Sequence, residues 1–222
     1  MNQMFSNATV AFSEGEIVER ECLIRQIFQA VSAAWTGINP RVRFSRVETP
    51  ILTPPGCLGD HLAVGFPMLE TKCGVLRPET TVGCTSAFHA MFPQAAQRAK
   101  RLPFCVWQAG KSFRDEANPQ TMRATRLRLR EFWQQEFELF AAEGTRVDYL
   151  QIALQKLVSK WGGKIVTPSN LPHYSRRTLD WEIEGLEIAG CSERTDWKEG
   201  MLFEVSVGLD RLLAVRSQFC AQ

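Results

Sequence analysis

With 222 residues, 45% of them hydrophobic and 10% aromatic, the chain can bury a large core and falls within the range of a single domain. Its 26 basic and 24 acidic residues nearly cancel, which excludes nucleic-acid or membrane binding driven by overall charge and leaves electrostatic function to local clusters. Seven cysteines without a C-x-x-C pair, no basic-then-apolar leader and no apolar run near the ~20 residues of a membrane span lead to the expectation of a reduced, cytoplasmic protein. Cys57, Cys73 and Cys84 match no common zinc spacing and are expected to be buried small apolar residues.

Along the chain, Ser13 and Glu16 form a capping-box pattern. Ile17, Ile24, Phe28, Val31 and Trp35 then recur at helical spacing, so 14–35 is predicted to be an amphipathic helix with Gly37 as its stop. "RFSRVETPIL" (43–52) alternates and meets Pro50, the pattern of a strand ending at an edge or turn. "TPPGCLGDH" is a loop. In "LRPETTVGCTSAFHAMF" (76–92) a strand end precedes Pro78 and a helix follows. The run 102–116, a loop, and the run from about 127 to 140 make a hairpin. A second amphipathic helix covers 146–161, with Gly162 after it. "TLDWEIEGLEIAG" and "MLFEVSVG" are strands, and 209–219 is a final helix. Strands with helices segregated between them indicate an α+β fold with a mostly antiparallel sheet.

Strand alternation assigns side chains to faces. On 131–140, Trp133, Gln135, Phe137 and Leu139 share one face, and Phe132, Gln134, Glu136 and Glu138 share the other. Ser112, Arg114 and Glu116 share a face on the preceding run. Glu204, Ser206 and Gly208 lie opposite Phe203, Val205 and Val207. A solvated face explains scattered charges but not a phenylalanine beside two glutamates, so a polar ligand site competes with a plain solvent face. Arg114 offers a planar fork for phosphate oxygens, Phe132 a flat surface for a base, and Glu204 a carboxylate for a divalent cation. Glu79 and Glu136 suit an ammonium group. Together these groups fit a nucleoside triphosphate and a small amine-bearing substrate. No Ser-His-Asp or Cys-His arrangement is evident, and His61, His89 and His173 read as structural.

The hairpin "FRDE…REFWQQEFE" resembles motif 2 of class II aminoacyl-tRNA synthetases in the glycyl-tRNA synthetase form. "LRPETTVG" is similar to the family's L-R-P-E-T-A-Q-G, "EIAGCSERTDW" to E-[LV]-x-G-x-x-x-R-T-D-[YF], and "FEVSVGLDRLLA" to motif 3. "RVETPIL" is a weaker match to motif 1, whose proline lies at a dimer interface. The resemblance covers roughly residues 44–215. It implies one catalytic domain over 1–222, with a helical segment at 1–40 and the core from 41. Arg114 would contact the α-phosphate of ATP with Glu116 nearby, Arg130 would lie beside the nucleotide, and Phe132 would stack on adenine. Arg211 would meet the γ-phosphate, and Glu187, Ile188 and Gly208 would lie by the ATP. Glu204, with Glu187 as a second carboxylate, would hold Mg²⁺. Glu79, Glu136, Arg194 and Ser206 would surround glycine. The implied activity is ATP-dependent formation of glycyl-adenylate, with Arg114 and Arg211 carrying the catalysis.

The chain also departs from the family pattern. Eleven residues follow Arg211, so the anticodon-binding domain of about 100 residues is expected to be absent. The insertion between motif 1 and L-R-P-E-T is missing, Val82 replaces a glutamine, and Val205 replaces the motif 3 proline. Arg123, Arg126 and Arg128 in a lengthened motif 2 loop either face an acceptor or form a flexible charged loop. The acceptor would be the end of a tRNA, a carrier protein, a protein lysine or a modified nucleotide. A homodimer is expected through the segment holding Pro50, with no membrane partner. The competing reading is a non-catalytic, synthetase-like accessory subunit.

Overall fold

Residues 3–5, 9–58, 64–115 and 129–219 are described by a computed structural model. A short antiparallel pair, β1 (Gln3–Phe5) and β2 (Thr9–Ala11), precedes the first helix. Ser13 opens that helix. Its hydroxyl accepts from the Glu16 amide, and the Glu16 carboxylate accepts from the Ser13 amide at 2.8 Å, the reciprocal pair read from the sequence. Helix α1 runs Glu14–Ile38 and buries Leu23, Ile27, Val31 and Trp35. Gly37 does not stop it. The helix ends at Asn39, whose amide bonds to the Trp35 carbonyl at 2.9 Å, because Pro40 disfavours helical backbone in the residue before it.

Strand β3 (Arg43–Arg46) is shorter than the predicted 43–52. Gln108 Oε1 accepts from the Thr49 amide at 3.2 Å beyond it, and the chain turns away into another sheet. That small sheet holds β4 (Leu52–Thr53), β5 (Leu69–Thr71) and β6 (Gly74–Leu76), in the order β4-β6-β5. Helices α2 (Thr81–Met91) and α3 (Ala95–Ala99) follow, then the hairpin β7 (Phe104–Phe113) and β8 (Glu131–Ala141). Helix α4 (Tyr149–Trp161), β9 (Lys164–Val166), β10 (Ser175–Ile183), β11 (Leu186–Arg194), β12 (Met201–Gly208) and α5 (Leu209–Phe219) complete the chain.

The central sheet has seven strands in the order β3-β7-β8-β12-β11-β10-β9. The β3–β7 pair is parallel and its other neighbours are antiparallel, so the α+β expectation holds. Helices α1, α4 and α5 cover one face. Phe137, Leu139, Val205 and Val207 point into that layer with no exposure, which follows from their alternation. Two hydrogen bonds fasten the helices: Trp35 Nε1 donates to the Tyr149 carbonyl at 2.9 Å, and Gln135 Nε2 donates to the Ile24 carbonyl at 3.1 Å. On the opposite face α2 covers one end of the sheet. Phe88 stacks on Phe140 with ring centroids 4.1 Å apart, over Phe104, Val106 and Leu202. The rest of that face is left to the site.

Candidate active site

Antiparallel pairing lines up side chains from different strands in rows across the open face. Under α2 the row is Phe104, Phe140 and Leu202. The next is Glu138, Glu204, Ser192 and Thr178. Then come Gln108, Glu136, Ser206, Gly190 and Asp180. Gln134 and Gly208 form the next row, and Phe132 lies beyond them. Side chains on one face of a strand are about 7 Å apart, so Glu138 to Phe132 spans about 20 Å. A cavity of about 440 Å³ lies over these rows and is also lined by Arg114, Tyr174, Glu187 and Arg211.

The deep end is acidic. Glu79, Glu136, Glu138 and Glu204 are all at most 3% exposed, and Arg194, also 3% exposed, is set among them. Arg194 pairs with Glu79 at 2.9 Å, with Asp196 at 2.6 Å and with Glu204. The N-terminus of α2 supplies further donors, and the strands supply others. Thr80 donates its amide at 2.7 Å and its hydroxyl at 2.5 Å to Glu136 Oε2. Ser206 Oγ donates to Glu136 Oε1 at 2.9 Å. The Thr81 hydroxyl lies 2.7 Å from Glu138 and 2.9 Å from Glu204. Burial pushes the carboxyls up. Glu136 is raised by burial and by Glu79, Glu138 is raised well by burial and by Glu204, and Glu204 reaches about 8 through burial despite Arg194.

"LRPETT" fixes this geometry residue by residue. Arg77 clamps the strand edge, donating to the Lys111 and Thr49 carbonyls at 2.7 Å each. Glu79 meets Arg194, and Thr80 and Thr81 meet the glutamates of β8 and β12. Gly83 lets α2 seat against the chain, since a β-carbon there would fall 2.1 Å from Thr49 Oγ1.

The open end is cationic and aromatic. Arg114 Nε donates to the Pro78 carbonyl at 2.9 Å, and its guanidinium carbon lies 5.1 Å from the Phe66 ring and 5.4 Å from the Phe132 ring. Arg211, in the first turn of α5, donates to the Glu187 carbonyl at 2.9 Å and sits 3.5 Å from its carboxylate. Asp210 accepts from the Trp133 amide at 2.8 Å, and burial lifts its carboxyl to about 6.

In sequence and in fold the chain is similar to known aminoacyl-tRNA synthetases. Residues 70–171 match the tRNA synthetase class II core domain (G, H, P, S and T). The glycine–tRNA ligase of Deinococcus radiodurans is 34% identical over 146 residues, 59% of this chain and 28% of that ligase. The glycine–tRNA ligase of Cutibacterium acnes is 33% identical over 151 residues, 60% of this chain and 31% of that ligase. Among solved structures, Giardia lamblia prolyl-tRNA synthetase in complex with prolyl-adenylate superposes with a TM-score of 0.67 at 14% identity, over 93% of this chain and 47% of that one. A pyrrolysyl-tRNA synthetase from Desulfitobacterium hafniense gives 0.59 at 18% identity, over 88% of this chain and 69% of that one. Over residues 70–171 the chain is thus similar to a class II aminoacyl-tRNA synthetase core domain. The matched stretch spans about three-tenths of these curated ligases.

Glu79, Arg114, Phe132, Glu136, Glu187, Ile188, Glu204, Ser206, Gly208 and Arg211 come together on one cavity. Arg194 lies behind its wall as a buried counter-ion, and Arg130 turns to Asp115 at 3.2 Å instead of lining it. Glu116, Arg123, Arg126, Arg128 and His61 lie outside the described residues. Glu204 is buried and bonded to Arg194 and Thr81, whereas Glu187 is half-exposed beside Arg211. Among the described residues no three His, Cys, Asp or Glu side chains are grouped to hold a metal ion. Cys84 is buried as expected, but Cys57 and Cys73 are exposed, because they sit in loop and turn segments outside both cores. Sequence reasoning passed over Thr80, Thr81, Glu138 and Tyr174. The first two stood inside a quoted motif and Glu138 on a named face, but Tyr174 is in an irregular loop with no periodicity to mark it.

Proposed function

We propose that the cavity activates a small amino acid, glycine above all, by joining it to ATP as an aminoacyl-adenylate. The observation that carries this reading is what meets on one cavity: the buried carboxylates Glu79, Glu136 and Glu204 at its deep end, and Arg114 and Phe132, 5.4 Å apart, at its open end. Glu79, Glu136 and Glu204 converge where an ammonium group would sit. Arg114 faces the point where the amino-acid carboxylate and the α-phosphate would meet, and Phe132 offers the base a flat surface. Arg211 would hold the far phosphates.

In this mechanism an oxygen of the amino-acid carboxylate attacks the α-phosphorus. The bond from that phosphorus to the bridging oxygen breaks on the opposite side, and pyrophosphate leaves with the electron pair. No protein nucleophile is required. Positioning and charge stabilisation by Arg114 and Arg211 carry the step. A Mg²⁺ ion bound with the phosphates would need only one or two protein carboxylates, and the half-exposed Glu187 would be one of them. The ion would supply charge neutralisation. The activated amino acid would then pass to a tRNA acceptor end or to another acceptor. Pro50, Ile51 and Leu52 are exposed, which supports pairing of two copies there, and light scattering that gives a monomer at micromolar concentration would remove that part.

Pyrophosphate exchange into ATP tests the activation step. Glycine-dependent exchange is expected, with Arg114→Ala and Arg211→Ala each lowering it by about 10²-fold or more. Absence of exchange with glycine and every other small amino acid, from folded protein, would overturn the reading.

A further inference from the structure

The sheet beside the carboxylates is built of small residues. Ser192 and Thr178 continue the row of Glu204, and Gly190 continues the row of Ser206. The hydroxyls of Thr178 and Ser192 lie 3.2 Å apart. A β-carbon added at Gly190 meets nothing closer than 3.7 Å, so this floor has room for at least one more carbon. Nothing on the sheet therefore rejects an amino acid with a short side chain. Exclusion has to come from a group lowered onto the floor.

Residues 167–174 supply such a group. Pro168 and Pro172 restrict the backbone of this segment. Its end is pinned where the Thr195 amide donates to the Tyr174 carbonyl at 2.7 Å. The Tyr174 ring lies 4.0 Å from the guanidinium carbon of Arg194, the same guanidinium that holds Glu79 and Glu204. Tyr174 also lines the cavity. Burial, together with Glu204 and Glu79, raises its phenol well above the ordinary value.

We propose that Tyr174 sets the size limit on the amino acid: its ring occupies the space above Ser192 and Thr178 that a substrate side chain would need. This rests on the amino-acid-activating reading of the cavity. The ring works by volume. A single methyl group in a pocket of fixed size is worth about 10- to 200-fold in discrimination, which a rigid aromatic wall can supply without any charge. Once the ring is gone, the exposed hydroxyls of Ser192 and Thr178 favour a hydroxyl-bearing side chain over a bare methyl.

The test is pyrophosphate exchange with glycine, alanine and serine for the full chain and for Tyr174→Phe, Tyr174→Leu and Tyr174→Ala. Tyr174→Phe is expected to keep the glycine preference. Tyr174→Ala is expected to lower the glycine-over-alanine ratio about tenfold or more and to admit serine better than alanine. Glycine exchange that persists in Tyr174→Ala with no gain for alanine or serine would overturn the proposal. If Tyr174→Ala does not fold, Tyr174→Leu, which keeps an apolar contact on Arg194 but shortens the reach, gives the same two outcomes. If neither variant turns over, calorimetry with non-hydrolysable glycyl- and seryl-adenylate analogues decides it: a gain for the seryl analogue supports the size limit, and an unchanged ratio overturns it. A parent protein that exchanges no amino acid defeats the activation reading instead, whatever the variants do.

Discussion

At the scale of single residues, the Thr81 hydroxyl constrains where protons sit. It lies 2.7 Å from Glu138 Oε1, 2.9 Å from Glu204 Oε2 and 3.3 Å from Glu136 Oε2. A hydroxyl has one proton to give, so three ionised carboxylates cannot share it without facing its lone pairs. At least one of them must hold a proton and donate. Glu138 is the candidate: it is fully buried, among the described residues its second oxygen has no hydrogen-bond partner, and Arg194 bonds to Glu204 rather than to it. Glu138→Gln copies the protonated acid and is expected to stay within about 1 kcal/mol of the parent in urea denaturation, with exchange activity retained. Glu138→Ala strands Thr81 and Glu204 and should cost about 1–3 kcal/mol while raising the glycine KM. Equal damage from both substitutions would show that Glu138 is ionised. Alternation placed Glu138 on the functional face. Its partner, a threonine of α2, belongs to a distant stretch of chain that no strand pattern can position.

At the scale of elements, legibility followed length and periodicity. The long strands β7, β8 and β12 and the helices α1 and α4 each repeat a pattern enough times to fix their buried side, and Phe137, Leu139 and Val205 lie where that pattern put them. Of the small sheet of β4, β5 and β6 little beyond the end of β6 before Pro78 was legible, because strands of two or three residues carry less than two periods. Nor was loop 167–174, whose role comes from what it lies against. The periodic elements also hold the stability. Trp35 is fully buried, 6.2 Å from the Phe137 ring and 6.0 Å from Tyr149, and its indole bonds to α4. Trp35→Ala leaves a cavity where α1, α4 and the sheet meet and is expected to cost about 3–5 kcal/mol, read as a lowered denaturation midpoint. A shift below 1 kcal/mol would mean that α1 does not dock as described.

At the scale of the whole molecule, the buried carboxyls couple folding, pH and substrate. Glu204 moves from its ordinary 4.5 to about 8 and Asp210 from 3.8 to about 6, both chiefly through burial. A carboxyl raised on folding holds a proton that the unfolded chain has already lost. Its stabilising contribution is therefore complete below the ordinary carboxyl range and disappears as pH rises through the folded value. Stability is expected to fall between about pH 4 and pH 8, with Asp210 acting up to about 6 and the Glu138–Glu204 pair above it. Asp210→Asn keeps an acceptor for the Trp133 amide and should flatten the lower part of that slope, measured as urea midpoints across pH. The same protons oppose an ammonium ligand, because a carboxyl that is protonated cannot pair with it. Glycine binding should then expel protons and tighten as pH rises from 6 to 8.5. Calorimetry in buffers of different ionisation enthalpy counts the protons released. A glycine affinity independent of pH, with no proton released, would mean that the ammonium group is met by carboxylates already ionised and that the acidic cluster is a structural feature of the core.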